Sequence, residues 1–182
     1  MKLSRLFCCS VGVGVIGGVL VVATIVLRDA GFITAEAGLT FVSFIAWSCY
    51  FYSGATPKNA GAAWLSLAVG ILCAICVFQL WAVFTRVGLD ADYLALPLAV
   101  TIGIVPMNMA ERLPFGNQVP SVYLGGATYF AIMSVPAAAA KGYLAVAAAE
   151  LAYAALGLFA GYLNMRLVAH CKGTFLWRRF TA

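Results

Sequence analysis

The chain has 182 residues, of which 64% are hydrophobic and only 9% charged, with a mean hydropathy of +1.01. A soluble domain carries about a quarter charged residues, so this composition excludes one and points to an all-α polytopic membrane protein, whose length six spans of roughly 20 residues nearly fill. The formal charge of +5 is then topology and no sign of nucleic-acid binding, because basic residues collect at the cytoplasmic ends of spans.

Taken in order, Lys2 and Arg5 precede an apolar run from Cys8 to Leu27, which is long enough to cross a bilayer. A secretory signal has the same layout, but this run exceeds a usual signal core and Leu27-Arg28-Asp29 is a poor cleavage site. Span two is expected over 35–54, ending in Tyr50, Phe51 and Tyr52. A polar turn over 53–61 with Pro57 and Gly61 leads into span three over 62–84, with Trp64 and Trp81 near its ends as an aromatic belt. The charged stretch Arg86–Asp92 separates the two halves. Span four (93–110) contains Pro97 and Pro106, both capable of kinking it. A polar loop over 111–118, span five (119–135), span six (141–168) and a basic tail (169–182) complete the chain.

Topology follows from counting charges. With the N-terminus in the cytoplasm, Lys2, Arg5, Lys58, Arg112, Arg166, Lys172, Arg178 and Arg179 fall inside, eight of the eleven basic residues, and Arg28, Arg86 and Lys141 fall outside. The positive-inside rule therefore favours six spans with both ends in the cytoplasm.

The halves resemble each other. Tyr50-Phe51 precedes Pro57 as Tyr129-Phe130 precedes Pro136, an offset of 129 − 50 = 79 residues, and Leu65, Ala68 and Leu72 match Leu144, Ala147 and Leu151 at the same offset. Apolar helices agree by chance, so the order of features weighs more than the identities: span, span ending in Tyr-Phe, proline turn, aromatic, span. Three crossings per unit is an odd number, so 1–85 and 93–168 are expected to be inverted-topology repeats, a construction common in channels and secondary transporters.

The Tyr-Phe ending, the Pro/Gly turn, the Leu/Ala/Gly-rich helix after it and Gly125-Gly126-Ala127-Thr128-Tyr129-Phe130-Ala131 together resemble the YcdZ-like small bacterial inner-membrane family, domain of unknown function 1097. The resemblance implies a compact multi-span inner-membrane protein and brings no reaction or catalytic residues with it.

Intramembrane polar residues are the functional candidates. Glu150 lies nine residues past Lys141, about 13 Å down the helix axis, and a carboxylate at that depth must face protein or water, be paired, or be protonated. It reads either as a contact on a solute path or as a hydrogen-bonded lock between helices. Thr128, Tyr129, Tyr50, Asn108 and Gln79 are further candidates for the path, with Thr101 as one more hydrogen-bonding group, although each alone is more often helix glue. Glu111 and Arg112, three and four residues beyond Asn108, read as a gate or as interfacial anchors, and Glu36 with Arg28 as an outer ion pair. Gly14, Gly18, Gly125 and Gly126 are candidates for close helix packing.

Cys73-x-x-Cys76 lies within a span with no second pair or histidine nearby, so no metal or redox cofactor is expected. No nucleophile with a partnered base and no phosphate-binding loop is apparent, so no enzyme is expected. Two readings remain: a passive channel or small transporter for a small neutral or weakly cationic solute, lined by spans one, two, four and five with Glu150 nearby, or a non-transporting subunit that binds a partner protein. Six spans form a thin wall, so a homo-oligomer within the lipid bilayer is expected.

Overall fold

The computed structural model describes residues 3–32 and 38–172. Among them are seven helices and no strand: α1 (Leu3–Leu27), α2 (Thr40–Tyr52), α3 (Pro57–Arg86), α4 (Leu96–Met109), α5 (Val119–Met133), the short α6 (Pro136–Ala139) and α7 (Tyr143–Lys172). Four stretches are long and apolar enough to cross a membrane, Leu6–Gly31, Pro57–Arg86, Ala91–Arg112 and Tyr143–Cys171. The helices at the second and fifth expected spans have 13 and 15 residues. At 1.5 Å per residue they are about 20 and 22 Å long, against a hydrocarbon core of about 30 Å.

Capping chemistry explains two of the helical starts, those at Pro57 and Ala91. Thr56 accepts the Asn59 backbone N–H on its Oγ1 at 3.1 Å and Pro57 takes the first helical position, so α3 starts there and the expected turn over 53–61 shrinks to four residues. The turn is closed by Asn59, whose Nδ2 donates to the Ser53 carbonyl at 2.7 Å, and it passes through Gly54 and Ala55 at φ 97° and 57°. Asp90 caps a widened helical turn over 91–95, its carboxylate accepting the N–H groups of Asp92 (3.2 Å) and Tyr93 (2.7 Å). Pro97 falls where that widened turn passes into α4, and Pro106 sits inside α4 itself. α1 runs into a turn at Gly31 (φ 85°), beside which Arg28 pairs with Asp29 at 2.9 Å. Glu36, the expected partner of Arg28, and the tail beyond Lys172 lie outside the described residues.

The helices group into two compact units, one within Met1–Gly61 and Ala149–Ala182, the other within Ala62–Ala148. In the first, α7 runs antiparallel to α1 and parallel to α2. The Tyr153 hydroxyl donates to the Thr24 carbonyl at 3.1 Å near one end of α1, and Gly12 faces Leu167 near the other. Along α2, the Ser43 hydroxyl donates to the Tyr153 carbonyl at 2.7 Å, Gly157 seats on the Ser43 carbonyl, and Gly161 packs on Tyr50. Trp47 fills the space beside Leu20 and Ala160. In lipid the hydrophobic effect does not press helices together, so such close contacts between small residues and backbone hold the unit.

The second unit is built in the same way. α3 runs antiparallel to α4, where the Trp81 indole N–H donates to the Ala91 carbonyl at 2.9 Å, Gly103 faces Val77, and Met107 packs with Cys73. It runs parallel to α5, where Ser66 accepts the Gln118 N–H at 3.0 Å, Gly125 seats on the Leu67 carbonyl, and Gly70 seats on the Val122 carbonyl. Phe78 meets the rings of Phe130 at 4.7 Å and Tyr129 at 6.3 Å.

Candidate functional site

Glu150, the deepest charged residue expected from the sequence, is 1% exposed in α7. A helix turns 100° per residue, which places Gly157, Gly161 and Asn164 within about 40° of Glu150 around the axis. This face is therefore polar at both ends and glycine-lined between, with Ser43 and Tyr50 of α2 lying against the glycines. Asn164 is 7% exposed, and its Oδ1 meets no donor among the described residues. It was not among the candidates read from the sequence. Its signal was available, since it lies fourteen residues past Glu150, four turns along the same stripe.

The other candidates separate into two groups. Tyr50 and Tyr129 are buried at 2% and 0% exposure, and each hydroxyl donates to a backbone carbonyl at or just before the following long helix, Ala55 at 3.0 Å and Tyr143 at 2.9 Å. Thr128 is also buried, its hydroxyl donating back to the Leu124 carbonyl at 2.8 Å. These side chains hold helix ends and turns together. Gln79 and Asn108 are exposed instead, and Asn108 donates through Nδ2 to the Tyr123 hydroxyl at 2.9 Å, joining α4 to α5.

Glu111 and Arg112 occupy the exposed turn after α4, and no ion pair joins them. Thr101 is exposed and bonds its own helix at the Pro97 carbonyl. Of the candidate packing glycines, Gly125 and Gly126 lie against Leu67 and Met107, whereas a Cβ on Gly14 or Gly18 would meet nothing within 4 Å. Cys73 is buried and Cys76 exposed, so the two thiols of the C-x-x-C sit in different surroundings.

The arrangement is that of an integral membrane protein: long apolar helices, interhelical glycine contacts, and a carboxylate enclosed within a span. The chain belongs to the family described as "Protein of unknown function (DUF1097)", whose model matches residues 10–169. No curated protein and no solved structure matches it.

Proposed function

We propose that this chain crosses the bacterial inner membrane six times as two inverted repeats that exchange their third helices, and that it forms a passive channel or small transporter for a small neutral or weakly cationic solute. The observation that carries this reading is the matched build of the two units. Corresponding helical stretches run 25 and 22 residues (Leu3–Leu27, Ala91–Arg112), 13 and 15 (α2, α5), and 30 and 30 (α3, α7). In each unit the 30-residue helix lies parallel to the short helix and seats a glycine on one of its carbonyls. Those carbonyls belong to Ser43 and Val122, which are 122 − 43 = 79 residues apart, as are Tyr50 and Tyr129.

The seated glycines are 157 − 70 = 87 residues apart, so eight residues are added between α5 and α7, where α6 and its turn lie. On this register the counterpart of Glu150 is the buried Ala63, and the polar face of α7 belongs to one repeat only. The start of α1 and the end of α7 lie together in the first unit, beside Gly12 and Leu167, which fits both termini facing the cytoplasm under the positive-inside count. Glu150 and Asn164 would supply the polar contacts of the path. Purified protein in liposomes should speed the passage of at least one of urea, ammonium, formamide, glycerol or water, and Glu150→Gln should change that rate. A whole panel no faster than protein-free vesicles would sink the channel reading.

The second reading, a non-transporting subunit that binds a partner, is favoured by the hydroxyls of Tyr50, Tyr129 and Thr128, which all donate to backbone within their own unit. Either way the protein is expected to be a homo-oligomer, with Gly14 and Gly18 facing outward for a neighbouring helix. Cross-linking in a mild detergent that recovers monomer alone would overturn that expectation.

A further inference from the structure

We propose that the groove between α1 and α7 binds an anionic phospholipid, one acyl chain lying in the groove and the headgroup phosphate meeting Arg166. The groove has a volume of about 310 Å³ and is lined by apolar side chains, chiefly Val15, Val19 and Ala23 on α1 and Leu156, Phe159 and Leu163 on α7. Val15, Val19 and Phe159 are each about 60% exposed, so the groove opens outward, toward the acyl chains of the bilayer. Residues 159, 163 and 166 stand at helical spacing i, i+4 and i+7, so Arg166 lies on the groove face one turn beyond Leu163. Its guanidinium is held over the Tyr162 ring, 5.9 Å from the centroid, and Tyr162 stacks in turn on Phe159 at 6.3 Å. The groove floor and its cationic end are thus one continuous surface.

Charge decides which lipid fits. The segments meeting at this end of the unit carry Arg5 in the first turn of α1, Lys58 in the first turn of α3, and Arg166 and Lys172 on α7. Residues 1–28, 37–61 and 151–182 contain no aspartate or glutamate. An end that is basic throughout its sequence favours a phosphodiester with net negative charge over a zwitterionic headgroup, by a factor of about five for each basic residue near the surface. The inference needs only that the unit lies in a membrane, and it holds whether or not the protein conducts a solute.

Native mass spectrometry of the full chain in mild detergent, titrated with chain-matched phosphatidylglycerol and phosphatidylcholine, tests it. We expect one phosphatidylglycerol to bind at least about fivefold more tightly than phosphatidylcholine. Arg166→Gln should erase the difference, Val19→Trp, at an outward-facing position, should fill the groove and weaken both lipids, and Lys141→Gln should leave both unchanged. Equal binding of the two lipids to the unaltered protein would overturn the proposal, as would full retention of phosphatidylglycerol by Arg166→Gln. A dimer that lipid does not displace and that Val19→Trp dissociates would show that a second copy occupies the groove, and would overturn it too.

Discussion

Gly157→Ala and Gly70→Ala are each expected to lower the melting temperature of the purified protein by about 5 °C or more, while Gly14→Ala leaves it unchanged or raises it. Alanine has the higher helix propensity, by about 1 kcal/mol in a helix interior, so propensity alone predicts stabilisation at all three positions. Packing reverses the sign at two of them. A Cβ at Gly157 would run into the Ser43 carbonyl, and one at Gly70 into the Val122 carbonyl. Backbone cannot rotate away as the end of a side chain can, so the helices must separate. Overpacking costs about 1–3 kcal/mol, and a collision with main chain belongs at the top of that range or above it.

Separation also loosens the neighbours of each glycine. Parting α7 from α2 weakens the hydrogen bond from the Ser43 hydroxyl to the Tyr153 carbonyl and the Gly161–Tyr50 contact, and parting α3 from α5 weakens the Ser66–Gln118 bond. Gly14 has nothing within 4 Å for its new methyl to meet, so only the propensity gain remains. Thermal unfolding in a mild detergent, followed by tryptophan fluorescence, measures all three. Equal melting temperatures for Gly14→Ala and Gly157→Ala would mean that the seated-glycine contact does not hold the unit.

These glycines mark the limit of what the chain discloses in one dimension. Membrane character and the approximate position of each apolar segment follow from hydropathy alone, because a bilayer imposes its thickness on sequence. Helix starts were legible in principle: Thr56-Pro57 before Asn59, and Asp90 before a helical turn, are capping signals, and reading Pro57 as a turn residue put the start of α3 at Ala62, five residues late. Partners were not legible. α3 is apolar on nearly every side, so no stripe tells which neighbour it meets, and α7 packs in a unit whose other helices, α1 and α2, are distant in sequence.

The small-xxx-small spacing occurs at Gly14/Gly18 and again at Gly157/Gly161, and sequence cannot say which pair faces protein. The second pair meets α2. For the candidate site, the depth of Glu150 was legible from its distance to Lys141, since few carboxylates lie so far inside an apolar run. Asn164 lies on the same stripe as Glu150, but near the basic tail an amide reads as interfacial, so only its spacing to Glu150 singles it out.

Glu150→Lys is expected to prevent recovery of folded protein, while Glu150→Gln is recovered with close to normal stability. The side chain is 1% exposed, so its replacement must fit the space the carboxylate occupies. Glutamine has nearly the same size and keeps an acceptor oxygen. Lysine is longer and carries a charge whose cost near a helix centre in the membrane is about 2.5–3.5 kcal/mol on insertion scales, and overpacking adds about 1–3 kcal/mol. Together these reach the lower half of the roughly 5–15 kcal/mol that separates most folded proteins from unfolding. Size-exclusion profiles of detergent-solubilised variants measure the recovery, and a symmetric, undiminished peak for Glu150→Lys would mean the site is open to water or headgroups.

The glutamine variant then separates the roles open to the carboxylate. If Glu150 lines a path, Glu150→Gln keeps its elution peak and melting temperature while solute flux changes, because only the charge or the exchangeable proton has been removed. If Glu150 only ties helices together, flux is unaltered and any effect appears in stability, by the roughly 0.5–1.5 kcal/mol of a hydrogen bond made weaker. Glu150→Ala should lower stability under either role, by removing volume from a closed site. The glutamine comparison is therefore the informative one, since it alone changes charge at nearly constant shape.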